Sequence, residues 1–116
     1  MKEAVAVQAA QERGELARDE RGYIVRFHAR IKANSWISNR IDLKVGATGG
    51  ILIPVEPPIW RFSIQLHAQE AELNALDVID VNAQTGQVIP LTKQQLELIR
   101  GGVRALRRHQ ELAAAA

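Results

Sequence analysis

Three histidines, His28, His67 and His109, are the only side chains whose ordinary titration falls near neutral pH. His28 and His67 fall at outward-pointing positions of two candidate strands, so strand neighbours would bring the imidazoles together. A metal site needs a third ligand at fixed geometry, and neither His-x-His nor His-Glu-x-x-His spacing occurs. A small enzyme would have to gather His28, His67 and an acid such as Glu56 into one pocket. Asp77 and Asp80 lie three apart on a candidate strand, which aims them at opposite faces, so they are not an acid–base couple. Ser35, Ser38 and Ser63 lack the glycine-flanked elbow of a nucleophile. The glycine-rich run at 46–50 is not followed by Gly-Lys-Ser/Thr, so it reads as a hairpin loop and not as a phosphate cradle. The chain has no cysteine, which excludes disulfides and thiolate metal sites. No cofactor and no catalytic constellation are expected.

The basic residues give a sharper pattern. Net charge is +2, but it is unevenly placed. Residues 1–20 and 68–92 are acidic, whereas residues 21–67 and 93–116 are basic. If residues 23–32 form a strand, Arg26, His28, Arg30 and Lys32 share its outer face. Arg40 and Lys44 share a second strand face, and Arg61 and His67 a third. Arg100, Arg104, Arg107 and Arg108 load the last helix. Such a surface fits a partner or a polyanion. It lacks the interleaved exposed aromatics of an RNA-binding sheet, because Tyr23 and Phe27 fall on the opposite, apolar side. The competing reading is a solvated sheet face, or one covered by the acidic segments.

Several elements must position these residues. At 116 residues with 47% hydrophobic and 24% charged side chains, the chain is an ordinary globular domain. One domain is expected over 1–112, with 113–116 as a frayed tail. Residues 2–18 are rich in helix formers, with Val5, Ala9 and Leu16 along one side. Residues 19–22 form a turn. Period-two alternation predicts strands over 23–32 and 37–45, a flexible turn over 46–50 and a short strand over 51–55. Pro54, Pro57 and Pro58 rule out a central ladder position, so that strand is at an edge or a bulge. Trp60, Phe62, Ile64, Leu66 and Ala68 make the core face of a strand over 59–68, and residues 69–75 are loop.

Residues 77–108 carry the most consistent local signals. Val78, Ile79 and Val81 precede the turn chemistry of Asn82 to Gly86, with Gly86 suited to positive φ. Val88, Ile89 and Leu91 return, and Pro90 marks the strand's end. Thr92 and Gln95 form a capping box. Leu96, Ile99, Val103 and Leu106 then recur at helical spacing. Gly101-Gly102 weakens that helix by about 1–2 kcal/mol in total, which calls for a kink or a close contact there.

The order of elements and the run Asp80, Val81, Asn82, Ala83, Gln84, Thr85, Gly86, Gln87, Val88 resemble the PepSY-like and cystatin-like α+β domains, including cytoplasmic immunity-type relatives. In those domains a similar strand and turn close a sheet that packs on an amino-terminal helix. Here Asn82 replaces the usual acid, and the carboxyl-terminal basic helix is an addition. The resemblance implies an α+β fold, with an amino-terminal helix on an antiparallel sheet of four to five strands. It also implies a non-enzymatic binding or inhibitory module.

The sequence thus predicts a small module acting by contact with another protein or with its own second copy, as a homodimer. A nucleic-acid-binding accessory protein is the alternative. The amino-terminal residues contain no uninterrupted apolar run, so a cytoplasmic location away from membranes is expected.

Overall fold

The computed structural model describes residues 16–41, 44–66 and 75–115. Their order is α1 (Arg26–Arg40), β1 (Val45–Ile53), β2 (Ile59–Leu66), β3 (Ala75–Asn82), β4 (Val88–Ile89) and α2 (Lys93–Ala115). The strands form one antiparallel sheet in the order β1-β2-β3-β4. The class is therefore the expected one: an α+β domain with a helix ahead of the sheet and another behind it.

The helix that packs on the sheet is not where the alternation placed it. Residues 23–32 do not form a strand, nor do residues 37–41; residues 26–40 are helical. Val25, Ala29, Ala33 and Ile37 recur every four residues, and all are buried. This i, i+4 stripe competes with the period-two pattern over the same residues and wins because it packs on the sheet, with alanine and arginine compatible with helix. The two alanines also let the helix backbone approach the sheet closely. Of the helix expected over 2–18, residues 1–15 lie outside the described residues. Ala17 and Arg18 are not helical; Arg18 bridges Ile24 in a short antiparallel pair.

The glycine run at 46–50 is not a turn between strands but lies inside β1. A register irregularity separates Thr48 from Ile51 opposite β2, and Gly50 there has φ +123°. A Cβ at Gly50 would lie 2.6 Å from Arg26 Cδ and 2.8 Å from Phe62 Cε1. This is where α1, β1 and β2 converge, and only glycine fits. Beside it, Asn34 of α1 accepts the Ala47 backbone N–H at 2.8 Å. An irregular, side-chain-capped edge strand resists pairing with a further strand.

The remaining elements follow the local signals closely. β2 presents Phe62, Ile64 and Leu66 to the core, as expected, and Ala68 lies outside the described residues. In the β3–β4 turn, Asn82 Oδ1 accepts the N–H groups of Gln84 and Thr85, and Gly86 takes φ +79°. Thr92 and Gln95 form the reciprocal cap, with Gln95 N–H to Thr92 Oγ1 at 3.1 Å and Thr92 N–H to Gln95 Oε1 at 2.8 Å. The tail expected to fray is helical through Ala115.

Both helices cover the same face of the sheet. Ala29, Ala33 and Ile37 of α1 join Ile99 and Val103 of α2 in one buried cluster with Phe62, Ile64, Ile79 and Val81. Each large aliphatic or aromatic side chain buried there contributes roughly 1.5–3 kcal/mol. The segment ahead of α1 is pinned at Ile24. Its N–H donates to the Ala83 carbonyl, and its own carbonyl accepts Trp60 Nε1–H at 2.8 Å. The 19–22 turn is closed by Asp19, which accepts the N–H groups of Arg21 and Tyr23 and pairs with the Arg21 guanidinium at 2.6 Å.

Two consequences are measurable. Gly50→Ala should lower stability by about 1–3 kcal/mol, from positive-φ strain and overlap with Arg26 and Phe62; urea titration reads this directly. Burial raises the Asp19 pKa, but the hydrogen bonds and charge of Arg21 and the Tyr23 N–H outweigh it, so the carboxyl sits below its ordinary 3.8. The stabilisation is therefore present above that value and is lost as pH falls through the folded-state pKa. Between about pH 5 and pH 2 the thermal midpoint of the native protein should fall more steeply than that of Asp19→Asn.

Candidate functional site

The residues expected to form a basic sheet stripe separate once α1 is a helix. Residues two apart share a strand face but lie on opposite sides of a helix. Arg26 and Arg30 occupy one side of α1, and Lys32 the other. Arg30 lies over the Phe27 ring, 5.9 Å from its centroid. His28 is only 5% exposed, and its Nδ1 accepts the Ala17 N–H at 2.7 Å. That bond places the hydrogen of the neutral ring on Nε2 and makes His28 a structural clasp for the segment entering α1. His67 lies outside the described residues. Glu56 is exposed in the β1–β2 connection, whereas His28 is buried. Among the described residues, no group of three metal-ligating side chains converges.

Arg40 closes α1 and stacks on Trp36, 4.4 Å from the ring centroid. Lys44 is exposed just before β1. The arginines of α2 stay together: Arg100, Arg104, Arg107 and Arg108 project from one side of the helix by their spacing. Arg100 reaches across to donate to the Arg40 carbonyl at 2.5 Å, tying α2 to the end of α1. Glu97 and Glu111 interrupt this side, so its charge is mixed. The expected stripe Leu96, Ile99, Val103, Leu106 faces the sheet, with Ile99 and Val103 fully buried.

Of the expected basic residues, Arg61 alone remains on the outer sheet face among the described residues, and it is committed. Its Nε and Nη2 donate to Asp80 Oδ1 and Oδ2 at 2.8 and 2.9 Å, a two-pronged pair across β2 and β3. The hydrogen bond and then the charge of Asp80 hold the Arg61 pKa above its ordinary value. The register sets Asp80 opposite Arg61, while Asp77 Oδ1 accepts the Val78 N–H.

The face around this pair was not singled out by the sequence. Ile51, Arg61, Asp80 and Ile89 stand opposite one another across all four strands. Val78 and Ser63 form the next rung on the same side. Ile51 is 66%, Ile89 44% and Val78 40% exposed, because both helices lie on the other face. The only signal available in the sequence was the outward phase of Val78. The result is a flat surface with three exposed aliphatic side chains and a pre-formed polar fork at its centre. A surface of this kind can bind a protein by apolar contact with fixed orientation. No described helix is long and apolar enough to cross a membrane.

No protein-family model, curated protein or solved structure matches this chain.

The glycine pair of α2 resolves into two different positions. The helix runs through Gly101 and Gly102 without interruption. A Cβ at Gly102 would lie 2.9 Å from Leu76 Cδ2, so its smallness lets α2 approach β3. Among the described residues, a Cβ at Gly101 would meet only the end of the Arg104 side chain, at 3.8 Å. In dilute solution Gly101→Ala should raise stability by up to about 1 kcal/mol. Gly102→Ala should gain less or lose, since its methyl group presses on Leu76; parallel urea titrations separate the two.

Proposed function

We propose that this chain is a small non-catalytic binding or inhibitory module that acts by protein–protein contact through the open face of its sheet. The observation that supports the reading most is the exposed set Ile51, Val78 and Ile89 around the fixed Arg61–Asp80 pair. A surface of aliphatic side chains beside an oriented ion pair combines desolvation energy with a geometric key. The turn motif at residues 80–88 supports the same reading, through its resemblance to PepSY-like and cystatin-like domains.

The test places a photoreactive side chain at Val78, and at Ser35 on the outer side of α1 as a control. Each protein is irradiated in lysate of its source cells. The expected result is a discrete protein adduct from position 78 alone, abolished by Ile51→Asp while the thermal midpoint stays within a few degrees of the parent's. Equal adducts from both positions, or an adduct indifferent to Ile51→Asp, would remove the sheet face from the account.

A further inference from the structure

We infer that α2 is an interface between two copies of this chain, with the helices crossing antiparallel at Gly101 and Glu97 of each copy set against Arg104 of the other. The inference rests on a surface separate from the open sheet face and stands without it.

The apolar arc of α2 is wider than the part its own domain covers. Ile99 and Val103 are buried, and Leu96 and Leu106 are partly buried against the core. A second stripe remains on the side turned away from the sheet. Leu98 and Leu112 are 69% and 64% exposed, and Ala105, also exposed, lies midway between them. The seven-residue spacing keeps all three on nearly one side of a helix, with a drift of only about 20° per repeat. These residues supply one of the two seam positions of a heptad repeat, and Gln94, Gly101 and Arg108 occupy the other.

Gly101 belongs to this stripe and not to the core. It lies between Leu98 and Ala105 on the helix surface, and the described residues give no steric reason for a glycine there. Glycine in a helix interior is unfavourable relative to alanine. A second backbone crossing at this point supplies a reason, since the distance between helix axes is set by the side chains at the contact.

Charge selects the second copy as occupant and fixes its direction. Glu97, Arg104 and Glu111 also repeat every seven residues, alternate in sign and run along the flank of the leucine stripe. All three are exposed. A like-oriented second helix sets this flank against the opposite flank of its partner, where Gln95, Gly102 and His109 offer no complement. In an antiparallel pair the same flanks meet. With Glu97 opposite Arg104 of the other copy, the two-fold axis falls beside Gly101, and Leu98 of each copy packs on Ala105 of the other. Two ion pairs form per dimer, each contact made twice as two-fold symmetry requires.

Sedimentation velocity of the full chain, from about 10 µM to about 1 mM, tests this. The expected result is a concentration-dependent dimer. Leu98→Glu abolishes it with the circular dichroism spectrum unchanged, since Leu98 is outside the core. Glu97→Arg weakens dimerisation by about tenfold or more, and the double variant Glu97→Arg/Arg104→Glu restores it. Ile51→Asp, on the sheet face, leaves the dimer intact. A monomer throughout the concentration range overturns the inference. So does a dimer that survives Leu98→Glu, or one weakened by Glu97→Arg that the second reversal does not rescue.

Discussion

The seating of α1 on one face of the sheet is the constraint on which the rest of the structure depends. Ala29 and Ala33 keep the helix backbone close, Gly50 leaves room for the stem of Arg26 beside Phe62, and Asn34 holds the Ala47 N–H of the edge strand. Ile24, at the entrance to α1, is fixed by hydrogen bonds to Ala83 and from Trp60. With this face filled, α2 adds Ile99 and Val103 to the same core. Among the described residues there is therefore a single apolar layer between helices and sheet, and Ile51, Val78 and Ile89 on the sheet's other face are exposed.

That arrangement also decides what the polar side chains can do. His28, Asp19, Asn34, Asn82 and Thr92 each hold a backbone group in place. These are the residue types from which an active site is commonly built, and here they organise turns, a cap and an edge. The outward surfaces consist instead of aliphatic side chains with paired or alternating charges. Arg61 and Asp80 neutralise each other within the sheet face, and Glu97, Arg104 and Glu111 alternate along α2. The paired charges of the sheet face suit recognition by shape and apolar contact better than attraction of a polyanion, which needs an excess of one sign; α2 does carry such an excess, with Lys93, Arg100, Arg104, Arg107 and Arg108 against Glu97 and Glu111.

The sequence was legible where local chemistry suffices. The 82–86 turn, the Thr92–Gln95 cap, the core face of β2 and the buried stripe of α2 each depend on neighbours within a few residues, and each is found where the pattern placed it. Residues 23–41 and 46–50 depart from their local pattern because their structure is decided at long range. Residues 23–32 satisfy a two-residue period and a four-residue period at once. The choice falls to the packing of Val25, Ala29, Ala33 and Ile37 on a sheet that the sequence does not display. The glycines at 46–50 resemble a turn in isolation, yet Gly50 answers to Arg26 and Phe62, which are distant in sequence. The basic stripe failed with the same error of period, since it needed Arg26, His28, Arg30 and Lys32 on a strand. The open face was hidden for a related reason: opposing Ile51, Arg61, Asp80 and Ile89 requires the register of all four strands.

The central claim, that both helices cover one face of the sheet and leave the other bare, is open to direct measurement. Methyl groups of isoleucine and valine can be labelled and exposed to a soluble paramagnetic probe, with signal broadening read residue by residue. The account predicts strong broadening at Ile51, Val78 and Ile89, and protection at Ile37, Ile64 and Ile79. Protection of Ile51, Val78 and Ile89 in dilute solution, to the level of the core methyl groups, would contradict it.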